Sequence, residues 1–241
     1  MSNFAISLLG RDYPELGPLT VVLAPEGGAL ALSRGREPKP YPHTDPNEDG
    51  ALLVRTPEGV ALAVADGYNG SAASERSLDA VRDAAPALIV EDDEAFERAA
   101  AELARSIAAS LAALVPSRSC LLVASLRAER CHFASFGDSA LFRAGAPGQL
   151  NVINGLALRP SLATRKLLTP LWCGGFERAP GERIAIVSDG VTNFMQDPAS
   201  LPRLLAGAAN DAAAARSIAE AALSGGAGDN VAVAVFGPDL A

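Results

Sequence analysis

Residues 60–70 read VALAVADGYNG, and this stretch organises the rest of the chain. Val60–Ala65 is an apolar run of strand length, and with Ala51–Val54 it predicts a hairpin around Thr56–Gly59. The strand ends on Asp66-Gly67. Taken singly, an Asp-Gly pair marks a turn, because Asp bonds its own backbone and Gly accepts a positive φ. The same arrangement recurs, however. Cys131–Phe136 runs into Gly137-Asp138-Ser139, and Ile184–Ser188 into Asp189-Gly190. Asp229-Asn230 opens the strand Val231–Phe236, and Asn47-Glu48-Asp49 precedes Ala51–Val54.

Five strand edges thus each present acidic residues. If the strands converge, their carboxylates share one pocket, and mutual repulsion raises their pKa values or unfolds the site. A hard divalent cation relieves that repulsion. Oxygen-only ligands select magnesium or manganese over zinc.

The remaining pattern places these strands in a fold class. Phe4–Leu9, Leu19–Leu23 and Ala29–Leu32 read as short strands, and the four prolines within 35–49 exclude helix there. A first helix is expected from Ser71 to Ala85, stopping before Pro86. A second is traced by Phe96, Ala100, Leu103, Ile107, Leu111 and Leu114, with Glu91–Glu94 at its dipole-favoured start and Pro116 at its end. Cys120–Leu126, Cys131–Phe136 and Ala140–Arg143 predict an antiparallel meander. An irregular stretch spans Asn154–Cys173, in which Trp172 and Phe176 read as core, flap or interface. Helices at Ala199–Ala208 and Asp211–Ala222 follow, the latter capped by Asn210. Strands come in runs and helices in pairs, which argues for antiparallel sheets with helices packed outside. No repeat or linker interrupts the chain, so residues 1–241 are expected to form a single domain.

Bulk properties exclude several classes. Apolar residues make up 49% and charged residues 20%, enough for a large core. The net charge of −8 comes without a basic stripe, so no nucleic-acid partner is expected. No run is long and apolar enough to cross a bilayer, and the N-terminus lacks signal-peptide features. Cys120, Cys131 and Cys173 form no Cys-x-x-Cys pair and read as thiols, Cys120 and Cys131 on neighbouring strands. A cytoplasmic location is the expectation.

The blocks Asn47-Glu48-Asp49, Val64-Ala65-Asp66-Gly67 with Gly70, Phe136-Gly137-Asp138-Ser139, Ser188-Asp189-Gly190 and Asp229-Asn230-Val231 occur in the order found in metal-dependent protein serine/threonine phosphatases of type 2C. From Ala29 to Phe236 the chain resembles that family, its small bacterial members especially. The resemblance implies an α+β fold: a four-layer α-β-β-α sandwich of two antiparallel sheets flanked by helix pairs. It implies hydrolysis of phosphoserine and phosphothreonine in proteins by a hydroxide bridging two manganese or magnesium ions. Asp66 would bridge both ions and the Gly67 carbonyl would bind one. Asp189 and Asp229 would complete the other ion's shell, and Glu48 and Asp49 would hold bound waters. Asp138 would serve a weak third metal or buttress the turn. The implied partner is a phosphoprotein, such as a kinase-linked signalling protein.

Some positions depart from the family pattern. Tyr68-Asn69 stands where His or Met followed by Gly is usual, and Tyr68 reads as a weak proton donor or a rim residue. Asn193 replaces an aspartate of the third metal site. Thr44 replaces the phosphate-binding arginine. The adjacent His43 resembles a histidine of some small members and is a candidate phosphate contact or plain loop surface; Arg34 and Arg36 are alternative donors if the Pro-rich loop folds back. His132 reads as a packed or edge residue. These departures keep a second function open: a catalytically inactive phosphatase-like module that binds a protein partner. A third reading makes the acids ordinary turns of an unrelated α/β domain.

Overall fold

A computed structural model of the chain describes residues 3–39, 45–112, 116–145, the backbone of 150–152, and 172–237. Within these residues twelve strands form two six-stranded antiparallel sheets. The first sheet has the order β1-β4-β5-β6-β7-β10. Its strands are β1 (Phe4–Leu9), β4 (Gly50–Thr56), β5 (Gly59–Tyr68), β6 (Arg118–Leu126), β7 (Arg130–Ser135) and β10 (Trp172–Glu177). The second sheet has the order β2-β3-β12-β11-β8-β9. It contains β2 (Thr20–Leu23), β3 (Ala29–Ser33), β8 (Ala140–Ala144), β9 (Leu150–Val152), β11 (Arg183–Val187) and β12 (Val231–Phe236). Helices α1 (Ala72–Leu88) and α2 (Asp93–Leu111) cover the first sheet. Helices α3 (Asp189–Thr192), α4 (Leu201–Gly207) and α5 (Asp211–Ser224) cover the second. The architecture is the expected four-layer α-β-β-α sandwich.

Strand alternation sorts the side chains into three cores. On β5, Ala61, Ala63 and Ala65 face α1 and α2, while Val60, Leu62 and Val64 face the second sheet. On β12, Val231, Val233 and Val235 face the helices, while Ala232, Ala234 and Phe236 face inward between the sheets. Both faces of the central strands are buried, so each reads as a continuous apolar run. Small side chains on the helix-facing side of β5 let α1 approach closely. The amphipathic stripe of α2 is as the spacing predicts: Phe96, Ala100, Leu103, Ile107 and Leu111 are buried, Ala104 joins them, and Leu114 lies outside the described residues. Asp92 caps this helix by accepting from the Ala95 amide at 2.7 Å, and Asn210 caps α5 by accepting from Ala213 at 2.8 Å.

Several expectations are corrected. The predicted meander breaks after β7. Gly137-Asp138-Ser139 carries the chain across the sandwich, and β8 joins the second sheet beside β11. Helix α1 does not stop before Pro86 but runs to Leu88. Pro86 lies exposed in the last turn, where the carbonyl it leaves without an amide can face water, while Leu88 and Ile89 bury against the sheet. Trp172 and Cys173 belong to edge strand β10 rather than to an irregular segment, and the rest of that segment, 154–171, lies outside the described residues. Trp172 is 39% exposed, whereas Phe176 packs on the inter-sheet core. As expected, Cys120 and Cys131 lie on neighbouring strands, β6 and β7, though not opposite one another, and all three cysteines are free thiols. His132 is buried and stacks on Phe96 with ring centroids 4.9 Å apart.

Phe96 is fully buried between α2 and the first sheet. Phe96→Ala should lower stability by about 3–5 kcal/mol. Urea unfolding followed by circular dichroism checks this, and a loss under about 1 kcal/mol would contradict the packing described.

Candidate metal centre

Register explains why the acids meet. Gly50 pairs with Ala65, so Asp49 and Asp66 lie next to each other at one end of the first sheet. Both continue the alternate positions that face the second sheet. In that sheet Ala140 pairs with Val187 and Val187 with Val233. Asp138 precedes β8, Asp189 follows β11 and Asp229 precedes β12, all at the same pole. The gap between the two sheets therefore receives carboxylates from both sides.

The turns that deliver them are tightly packed. A side chain at Gly67 would place its Cβ 2.3 Å from the Glu48 carbonyl oxygen, and one at Gly190 would come within 1.8 Å of the Asn230 carbonyl oxygen. Buried Asn230 ties the loops together. Its Oδ1 accepts from the Glu48 amide at 2.9 Å, and its Nδ2 donates to the carbonyls of Arg34 at 3.0 Å and Pro46 at 3.2 Å. Glu48 is fully buried and accepts from the Gly70 amide through Oε1.

Ligand oxygens of Asp66, Asp138 and Asp189 lie within 4.8 Å of one another. Burial first, then the charges of Asp49, Asp189 and Asp229, hold the Asp66 carboxyl well above the usual carboxylate range. Burial likewise raises Asp189, against a hydrogen bond shared with Asp66. Asp49 is pushed up to about 7, mainly by burial, with Lys39 pulling the other way and the Asp229 and Asp189 charges adding to the rise. Asp49 Oδ2 and Asp138 Oδ1 are buried without a hydrogen-bond donor among the described residues. Buried carboxylate oxygens that repel one another and lack donors fit a hard divalent cation.

The departures also find places. Asn193 donates from Nδ2 to Asp189 Oδ2 at 3.0 Å, so it orients that carboxylate. Tyr68 is 46% exposed at the rim, beside Asn69 with its positive φ of 61°. Cys120 sits next to Asp138, and burial with the nearby Asp66 and Asp138 charges pushes its thiol strongly up. His43 and Thr44 lie outside the described residues.

Residues 35–39, the described start of the Pro-rich loop, do fold back, but not with either arginine considered from sequence. Arg34 donates to the Pro14 carbonyl at 2.7 Å, and Arg36 is exposed. The cation delivered is Lys39, which the sequence reading missed. Its ammonium lies 2.7 Å from Asp229 Oδ1 and 3.5 Å from Glu48 Oε2, with the side chain only 4% exposed. Burial alone would lower its pKa, but the charges of Asp49 and Asp229 and the Asp229 hydrogen bond outweigh burial and raise it. One signal was available: the chain has 20 basic residues and only two are lysines, Lys39 and Lys166.

No family profile and no curated protein matches the chain. Solved structures do. The catalytic domain of the serine/threonine phosphatase PstP, in complex with two manganese ions, aligns with a TM-score of 0.68 and 22% identity, over 92% of this chain and 100% of that one. The phosphatase MsPP of Mycobacterium smegmatis, in complex with cacodylate, aligns at 0.65 and 21% identity, over 87% and 97%. PppA, a key regulatory component of the type VI secretion system in Pseudomonas aeruginosa, aligns at 0.66 and 19% identity, over 92% and 99%. The chain thus has the fold of the type 2C serine/threonine phosphatases, with an acidic cluster at one pole.

Asp49, Asp66 and Asp189 all have folded pKa values above their unfolded ones. Each contributes stability that is complete below its ordinary value and is lost as pH rises through its folded value, which for Asp49 is about 7. In EDTA, the melting temperature of the wild type should therefore fall more steeply between about pH 5 and about pH 8 than that of Asp66→Asn. Differential scanning fluorimetry measures both slopes, and equal slopes would remove the assigned repulsion.

Proposed function

We propose that this chain is a metal-dependent phosphatase acting on phosphoserine and phosphothreonine in proteins. The observation that carries the reading is the crowding of Asp49, Asp66, Asp189 and Asp229 into one gap, with Asp49 Oδ2 and the nearby Asp138 Oδ1 buried and without a donor among the described residues. Asp66, at the centre, would hold two divalent ions together with the Gly67 carbonyl, Asp189 and Asp229. Glu48 and Asp49 would orient bound water, and Asp138 would support a weaker third ion. When bound, such ions supply Lewis-acid activation of water and neutralise phosphoryl oxygens. Manganese is the first ion to test, because the PstP domain was solved with it.

The chain's own groups do the rest. Asn193 fixes the Asp189 carboxylate, and Asn230 holds the Glu48 backbone in register with β12. Tyr68, exposed beside Asp66, borders the entrance a phosphorylated side chain would use. A net charge of −8 makes local cations necessary for an anionic substrate. The partner would be a phosphoprotein, such as a kinase-linked signalling protein. No helix among the described residues is long and apolar enough to cross a membrane, and a cytoplasmic single-domain enzyme is the reading we adopt.

One observation favours the second reading, a partner-binding module without turnover: Lys39 already supplies a positive charge to the cluster. Hydrolysis of p-nitrophenyl phosphate and of a phosphothreonine peptide decides between them. With manganese the wild type should turn over both, and EDTA or Asp66→Asn should reduce the rate to background. Metal binding without turnover would select the module.

A further inference from the structure

The acid cluster divides into two halves with different occupants. Asp66, Asp138 and Asp189 face one another, their closest ligand oxygens within 4.8 Å. Asp229 is turned instead toward Lys39, 2.7 Å away, and Glu48 Oε2 lies 3.5 Å from the same ammonium. The resemblance groups Asp229 with Asp66 and Asp189; here the lysine holds it.

The lysine is placed there by the backbone. Gly35 has a φ of +100°, and a Cβ on it would come 2.4 Å from the Asp229 carbonyl oxygen, so only glycine lets the loop lie against residue 229. The Arg36 amide then donates to the Ala227 carbonyl at 2.8 Å. Lys39 follows three residues later, directly after Pro38, whose fixed φ stiffens the approach. Residue type matters as well. The chain has only two lysines among 20 basic residues, yet uses one here. An ammonium is a compact point charge, nearer in shape to a metal ion than a planar guanidinium is.

Resting on the phosphatase reading of this pole, we infer that Lys39 is a tethered cation that fills the Asp229–Glu48 half of the centre and competes with a divalent ion for it. A first ion enters the Asp66–Asp138–Asp189 half without displacing anything. A second ion needs Asp229, and Lys39 must withdraw before it enters. The apparent affinity for that ion is reduced by the fraction of molecules in which the lysine is seated. Lys39 is thus a positioning residue for the metal centre.

Two measurements test this, neither relying on turnover. In the wild-type chain, reductive methylation followed by peptide mass spectrometry reads the accessibility of Lys39, with Lys166 as the internal reference. Lys39 should be slow to label in EDTA and several-fold faster in saturating manganese. Isothermal calorimetry with manganese then compares the wild type with Lys39→Met. The variant should bind the weaker ion about tenfold more tightly or better, and should melt at a lower temperature than wild type in EDTA because its buried carboxylates have lost their counter-ion. This pairing of lower metal-free stability with higher metal affinity is not expected of a lysine that only braces the loop. If manganese binds and Asp66→Asn abolishes binding, but Lys39 labelling is unchanged by metal and Lys39→Met binds no tighter, the inference fails and the metal centre stands. If neither wild type nor Lys39→Met binds manganese, both fail.

Discussion

Like charges brought together in the gap between two sheets set the terms for the rest of this structure. Carboxylate oxygens of Asp66, Asp138 and Asp189 lie within 4.8 Å of each other. At that separation a pair of unit charges repels by about 3–4 kcal/mol at an effective dielectric of about 20. Three ionised pairs would together match the whole stability of an ordinary domain, about 5–15 kcal/mol. Asp49 and Asp229 add to the crowd. Full ionisation without compensation is therefore not a state the fold can hold. Protons, an ammonium or divalent cations must share the pole, and the molecule shows traces of the first two: carboxyls with raised pKa values and a seated lysine.

The scaffold tolerates this because its strain is confined to strand ends. Away from the pole, three apolar layers bury both faces of the central strands. At the pole, glycines and one asparagine lock the turns. Gly67, Gly190 and Gly35 each press against a carbonyl of another loop, and Asn230 bridges three segments through its side chain. With the backbones fixed in this way, the carboxylates cannot move apart to relieve repulsion. An acidic pole of this kind is built from rigid elements, and a flanking segment chooses the lysine that it meets.

That choice is where the chain differs from the pattern its motifs suggest. An arginine reaching in from the first loop would contact a phosphoryl group through a planar fork, whereas a lysine places a point charge among the carboxylates themselves. Asn193 acts in the same direction: a neutral amide bonded to Asp189 orients that carboxylate without adding another negative charge.

Much of the fold was legible in the sequence because its signals are local. Strand limits at Phe4–Leu9 and Val231–Phe236, the stripe of α2 and the Asn210 cap all follow from neighbouring residues and their periods. The order of acid-bearing strand ends also announced a shared pole, since each acid is fixed to the end of its own strand. Other features depend on contacts between segments far apart in the chain. No local pattern distinguishes a turn that continues a sheet from Gly137-Asp138-Ser139, which crosses to the other sheet because β8 finds its partner in β11. Pro86 stays helical because the residues after it gain a buried surface. Lys39 reads from sequence as a charge in a Pro-rich loop. Only the packing of Gly35 against residue 229, across the whole length of the chain, turns that loop inward and converts a surface lysine into part of the acid centre.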